Sequence, residues 1–209
     1  MTLKQARRLN YIGPRKALLV STIHQVMSQH PRYPERVQNW RTNKLQPSLH
    51  NRQAALFCLG RKCLEGTDKW AFAAWQDQNS PIDYVLRQTK PDGEERYEFI
   101  QLKEIVPEKI NPKQSLQDLL DELPEKYSST DELTIAIHIH RELSVNISTL
   151  KKPSLPNASL WLFGFGDKAP HNLFLFGDWF KSPSMVYFSY PTMSLGESLT
   201  QWKGSLDED

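Results

Sequence analysis

At 209 residues, with 39% hydrophobic and 24% charged side chains, the chain is long enough and apolar enough to bury one sizeable core. No apolar run approaches the length of a membrane span and residues 1–30 lack a signal-peptide layout, so a cytoplasmic protein is expected. The net charge of +2 conceals an asymmetry: residues 1–62 hold twelve Lys or Arg against one acid, Glu35, a local charge of +11, and the rest carries −9.

Such a basic segment ahead of an acidic body is the electrostatic footprint of a polyanion binder, most simply of nucleic acid. Arg7, Arg8, Arg15, Lys16, Arg36, Arg41 and Lys44 are the candidate phosphate contacts. The plainer alternative is a solvated basic face that pairs with acids of the body. Within this segment Pro14 opens a helix over Arg15–His30, with Leu18, Leu19, Ile23, Val26 and Met27 in one stripe, and Pro31 and Pro34 stop it. Residues 31–50 read as an irregular basic connection. Trp40, among Arg36, Arg41 and Lys44, suits either stacking on a base or docking against the helix. We therefore expect a basic helical N-terminal segment over residues 1–50 and an α/β core over 51–209.

The core begins with an apolar helix over Asn51–Glu65, ended by Gly66. Cys58 and Cys63 sit on it five residues apart, form no zinc motif, and read as reduced packing residues. Trp70–Trp75 is the first strand. Ile82–Arg87 and Tyr97–Lys103 then form a hairpin, because Lys90-Pro91-Asp92-Gly93 supplies a proline, an acidic turn residue and a glycine between them. Folding about Asp92 pairs residues whose numbers sum to 184, so Asp83 faces Gln101, Val85 faces Phe99 and Arg87 faces Tyr97. With side chains alternating, Asp83, Gln101 and Lys103 share one face. Ser115–Leu123 follows as an amphipathic helix with Leu116, Leu119, Leu120 and Leu123 at helical spacing. Leu133–His140 is an alternating strand with Ile135, Ile137 and Ile139 on one side. Leu160–Phe165, Leu173–Phe176 and Met185–Tyr190 are apolar runs that continue the sheet or add a small layer.

A carboxylate and an amide oxygen on adjacent strands can hold a hard cation such as Mg²⁺. A lysine two positions on can orient water or offset charge on a phosphate. Pro81-Ile82-Asp83 and Gln101-Leu102-Lys103 resemble the motif of the PD-(D/E)xK nuclease superfamily, with Ile82 inserted between proline and aspartate. The glutamine variant is similar to that of Mrr-type restriction endonucleases. The order helix, three strands, helix, strand over residues 50–140 also fits that family's core.

The resemblance implies a restriction-endonuclease-like mixed central sheet flanked by helices. It further implies a Mg²⁺- or Mn²⁺-dependent endonuclease acting on DNA, with Asp83 and Gln101 ligating metal and Lys103 assisting hydrolysis. Many members carry a glutamate on the helix before the first strand; here Gln53 and Glu65 are the residues on offer to complete the ligand set. With a glutamine also at 101, the alternative is the same fold as a non-catalytic module that binds nucleic acid or protein, and the aromatic C-terminal third suits a homodimer interface. Elsewhere, His138 and His140 share one strand face at a spacing that can hold a metal, but without a third nearby ligand they read as two half-exposed histidines on a polar face. Asp167, His171 and Asp178 surround a turn, and Gly164-Phe165-Gly166 lacks the lysine of a phosphate loop.

Overall fold

A computed structural model of the chain describes residues 1–28, 32, 45–66, 69–77, 79–127, 132–142, 146–155, 157–166 and 172–189. Its helices are α1 (Leu3–Ala6), α2 (Pro14–Ser28), α3 (Gln46–Glu65) and α4 (Leu116–Tyr127), with one 3₁₀ turn at Ile147–Thr149. The strands are β1 (Lys69–Ala74), β2 (Tyr84–Thr89), β3 (Glu95–Ile105), β4 (Leu133–Ile139), β5 (Ser159–Phe165), β6 (Asn172–Gly177) and β7 (Ser184–Ser189). All seven strands lie in one mixed sheet, in chain order. β1, β2 and β3 form an antiparallel meander, β3, β4 and β5 run parallel, and β6 and β7 return antiparallel. The chain is thus α/β with a mixed central sheet, and the three C-terminal apolar runs extend that sheet.

The β2–β3 hairpin has the expected register, with Val85 opposite Phe99 and Arg87 opposite Tyr97. Its turn explains why. Gly93 takes φ +89, Gly93 N–H donates to the Lys90 carbonyl at 2.9 Å, and Asp92 Oδ1 accepts from Glu94 N–H at 2.9 Å. A glycine in that left-handed position, after a proline and an aspartate, closes a three-residue loop without shifting the strands.

Alternation then divides the apolar side chains between two faces. Phe57 of α3 packs with Phe72, Leu86, Ile100, Trp161 and Phe163 on one side of the sheet. Leu116, Leu120 and Leu123 of α4 pack with Val85, Ile135, Ile137 and Leu162 on the other. The crossover between parallel strands β3 and β4 is made by α4, as parallel pairing requires.

Two boundaries differ from the sequence reading. Helix α3 starts at Gln46 rather than Asn51, with Pro47 in its first turn, where the missing N–H costs no hydrogen bond. Residue 50 consequently lies inside α3, and Ala17 and Leu18 of α2 are buried in the core beside α3. Among the described N-terminal residues, those two side chains thus contribute to the core. Helix α1 was not anticipated; its signal is a capping box, Thr2 Oγ1 accepting from Gln5 N–H while Gln5 Oε1 accepts from Thr2 N–H.

Candidate functional site

Asp83 stands one residue before β2, held there by backbone bonds from Asp83 N–H to the Ile100 carbonyl and from Trp75 N–H to the Asp83 carbonyl, both 2.8 Å. Its side chain reaches across the hairpin. Oδ2 accepts from Gln101 Nε2 at 2.5 Å and from Leu102 N–H at 2.8 Å. Gln101 is buried, and its Nε2 also lies 3.2 Å from the Leu102 carbonyl. Lys103 follows on the same strand face, with its ammonium 5.2 Å from the centre of the Tyr127 ring on α4. The three hairpin residues are therefore together, on the face of the sheet that α4 covers.

Burial pushes the Asp83 carboxyl above its ordinary range. The Leu102 N–H, Lys103, His50 and Gln101 pull the other way and do not outweigh it. His50, near the start of α3, thus belongs to the electrostatic surroundings of Asp83. It was not among the residues expected here. The signal for it was weak: it depends on α3 beginning before Asn51, which brings the helix N-terminus over the hairpin. Asn51 of the same turn accepts from Tyr84 Oη at 2.9 Å and fixes that approach.

Gln53 and Glu65 do not join the hairpin residues. Gln53 is buried with Nε2 3.2 Å from His138 Nδ1 on β4. Glu65 accepts from Arg61 Nη2 at 2.6 Å and from Gln88 Nε2 at 3.2 Å. It lies fifteen residues beyond His50 on the same helix, about 22 Å along its axis. Neither completes a ligand set around Asp83. Among the described residues, the side chains that act on that carboxylate are Lys103, His50 and Gln101.

The basic residues also part company. Arg7 and Arg8 are exposed just after α1, whose Ala6 packs in the same cluster as Ile82 and Val85, on the Asp83 face. Burial raises the Cys63 pKa and the Arg15 charge is close enough to oppose that rise, which puts the start of α2 beside the far end of α3. Lys16 follows Arg15 there. From His50 to Cys63 is about 20 Å of helix. Arg36, Arg41, Lys44 and Trp40 lie outside the described residues.

On the opposite sheet face a second cluster is present. The parallel register places Glu104 beside His138, with His140 two residues on. Glu104, His138 and His140 each offer a ligand atom, and these lie within 4.8 Å of one another. Sequence spacing revealed the two histidines but not the third member, because Glu104 joins them only through β3–β4 pairing. Of the turn residues, Asp178 is a structural anchor: Oδ1 accepts from Leu160 and Phe180 N–H at 3.1 Å, and Oδ2 from Ser159 Oγ at 2.7 Å. Asp167 and His171 lie outside the described residues.

Both cysteines are free, Cys58 buried and Cys63 exposed. Among the described residues, no helix is long and apolar enough to cross a membrane. Comparison with protein-family models, with curated proteins and with solved structures finds no match for this chain.

Proposed function

We propose that the chain is a metal-dependent endonuclease that hydrolyses DNA phosphodiester bonds at the β2–β3 hairpin, with a PD-(D/E)xK-like core. One observation carries the reading: Asp83 and Gln101 are in side-chain contact across the hairpin, with Lys103 next along the same face. The order helix, meander, helix, parallel strand lends it support.

The donor set suits a hard divalent cation, since a carboxylate, an amide oxygen and neighbouring peptide carbonyls are all oxygen ligands. Bound there, Mg²⁺ or Mn²⁺ would supply Lewis-acid polarisation of the phosphate and a more acidic water. The protein's own contributions follow from the geometry. Asp83 would hold the cation through a carboxylate that Leu102 N–H keeps in place. Gln101 would add its Oε1 after the amide turns over. Lys103 would orient the attacking water and offset charge that builds on the phosphate. Arg7 and Arg8, on the same side of the sheet, would bind the backbone of the substrate.

A test is incubation of the protein with supercoiled plasmid and Mg²⁺ or Mn²⁺, beside an EDTA control and the Lys103→Ala variant. Metal-dependent nicking that disappears in the variant supports the assignment. Cleavage retained by Lys103→Ala removes it.

A second reading has its own observation. Asp83 Oδ2 already accepts two hydrogen bonds from the protein, and burial disfavours its charge. That arrangement suits a hairpin that has kept its architecture as a non-catalytic module for nucleic acid or a second protein. Absence of cleavage together with DNA binding that weakens steeply with salt would select this reading.

A further inference from the structure

We propose that Glu104, His138 and His140 form a binding site for one borderline transition-metal ion of the Zn²⁺ type, on the sheet face opposite the hairpin site and independent of it. Two imidazoles and one carboxylate are the donors such an ion takes at three protein positions, with a fourth left to water. They are harder to reconcile with Mg²⁺, which prefers oxygen alone.

The geometry is nearly assembled. Parallel pairing of β3 with β4 puts Glu104 level with His138. Alternation along β4 brings His140 back to the same face, the two imidazole centroids 5.1 Å apart. Glu104 Oε1 lies 3.0 Å from His140 Nδ1. The three ligand atoms lie within 4.8 Å of one another, and ligands at about 2.0–2.2 Å on a tetrahedral ion stand about 3.3–3.6 Å apart, so side-chain rotations that draw the set in by about 1 Å complete it.

The surroundings are those of a held site. His138 is 3% exposed, and its ring stacks on Phe163 with centroids 4.9 Å apart. Its Nδ1 faces Gln53 on α3 at 3.2 Å. With the Gln53 amide turned so that Oε1 accepts, the Nδ1 proton is held there and Nε2 is left as the ligand atom. That is the outer hydrogen bond that orients most metal-bound histidines. Glu104 and His140 remain half-buried, which leaves a path for the ion. Bound metal would join β3 and β4 directly and α3 through Gln53.

The test uses the full chain without a histidine tag, stripped with chelator and titrated with Zn²⁺ in competition with a chromophoric chelator. One Zn²⁺ per chain is expected, with a rise in Tm. Co²⁺ in its place should show the intense visible absorption of a four-coordinate ion. His140→Ala and Glu104→Gln should each lower affinity at least ~100-fold, and Gln53→Ala about 10–100-fold. Asp83→Asn should leave affinity unchanged, which separates this site from the hairpin. The half-exposed His140 and the isosteric glutamine keep the folded state accessible, and the metal-free Tm of each variant verifies that. Absence of stoichiometric binding, or affinity unchanged in both variants, overturns the proposal. So does a Zn²⁺-dependent Tm rise that persists in His140→Ala.

Discussion

Gln101 presents its amide nitrogen to Asp83 Oδ2 across the hairpin at 2.5 Å, and both side chains are held by the same strand pairing. This contact is at once a tie between β2 and β3 and the pair of groups a cation would have to share. The two roles separate under substitution. Asp83→Asn keeps an oxygen that can accept from Leu102 N–H and removes the charge that burial disfavours. Urea unfolding at neutral pH should show unchanged or slightly increased stability, while plasmid nicking falls by at least ~100-fold. A stability loss above about 2 kcal/mol, the scale of an orphaned buried partner, would make Asp83 a structural residue first.

Arg61 is a different kind of charge. Its Nη1 lies 2.7 Å from Glu98 Oε2 and its guanidinium 4.4 Å from the centre of the Trp161 ring. Burial works against the cation, but Glu98 and Glu65 outweigh it and hold its pKa up. Arg61→Ala strands the half-buried Glu98 and strips a cover from Trp161, so a loss of about 3–5 kcal/mol is expected by chemical denaturation. Arg96→Ala, at an exposed pair with Glu94, should leave the midpoint where it was.

Alkaline pH should weaken the fold by a stated route. Burial holds the Cys58 thiol and the Tyr84 phenol far above their ordinary values of 9.0 and 10.0. Below pH 9 both states keep the Cys58 proton and stability is undiminished. Above it the unfolded chain releases that proton while the folded chain retains it, so stability falls as pH rises. The slope approaches about 1.4 kcal/mol per pH unit, and Tyr84 adds to it above pH 10. Denaturation curves at pH 7, 9 and 10.5 check this, and Cys58→Ala should lose the first part of the fall.

Alkylation offers a simpler reading of the same helix. At pH 8 iodoacetamide should label Cys63, which is exposed, and leave Cys58, which is fully buried, until denaturant is added. Mass spectrometry of the native protein should find a single adduct. Two adducts would mean that α3 opens away from the sheet.

Gly164 is required by space. A Cβ there would stand 2.5 Å from the Ile139 carbonyl oxygen, in the tight parallel pairing of β4 with β5. Gly164→Ala should cost about 1–3 kcal/mol, since backbone rather than a movable side chain must give way. A midpoint equal to wild type would show that β4 and β5 can separate there without penalty.

What was legible in the sequence was local. Pro91-Asp92-Gly93 specified the hairpin turn, and one turn of known length fixed the register of Asp83 against Gln101. Leu116, Leu120 and Leu123 at helical spacing were enough to find α4. What was missed depended on partners far along the chain. Residues 31–50 read as an irregular connection, yet Pro47 serves as a first-turn residue of α3. Gln53 was on offer to the Asp83 ligand set through the family resemblance, yet its position on the helix points it to His138 on β4. Glu104 lies just past the strand read from the sequence, and only the β3–β4 register gave it two histidines.

Lys103 and Glu104 are consecutive residues on opposite sides of one strand, so β3 acts as a party wall between two chemistries. A single inserted or deleted residue between Gln101 and Lys103 would exchange the rooms, sending the ammonium toward the histidines and the carboxylate toward Tyr127. The two sites therefore share one vulnerability. Substitutions can alter either one alone, whereas a change of chain length at this point removes both at once.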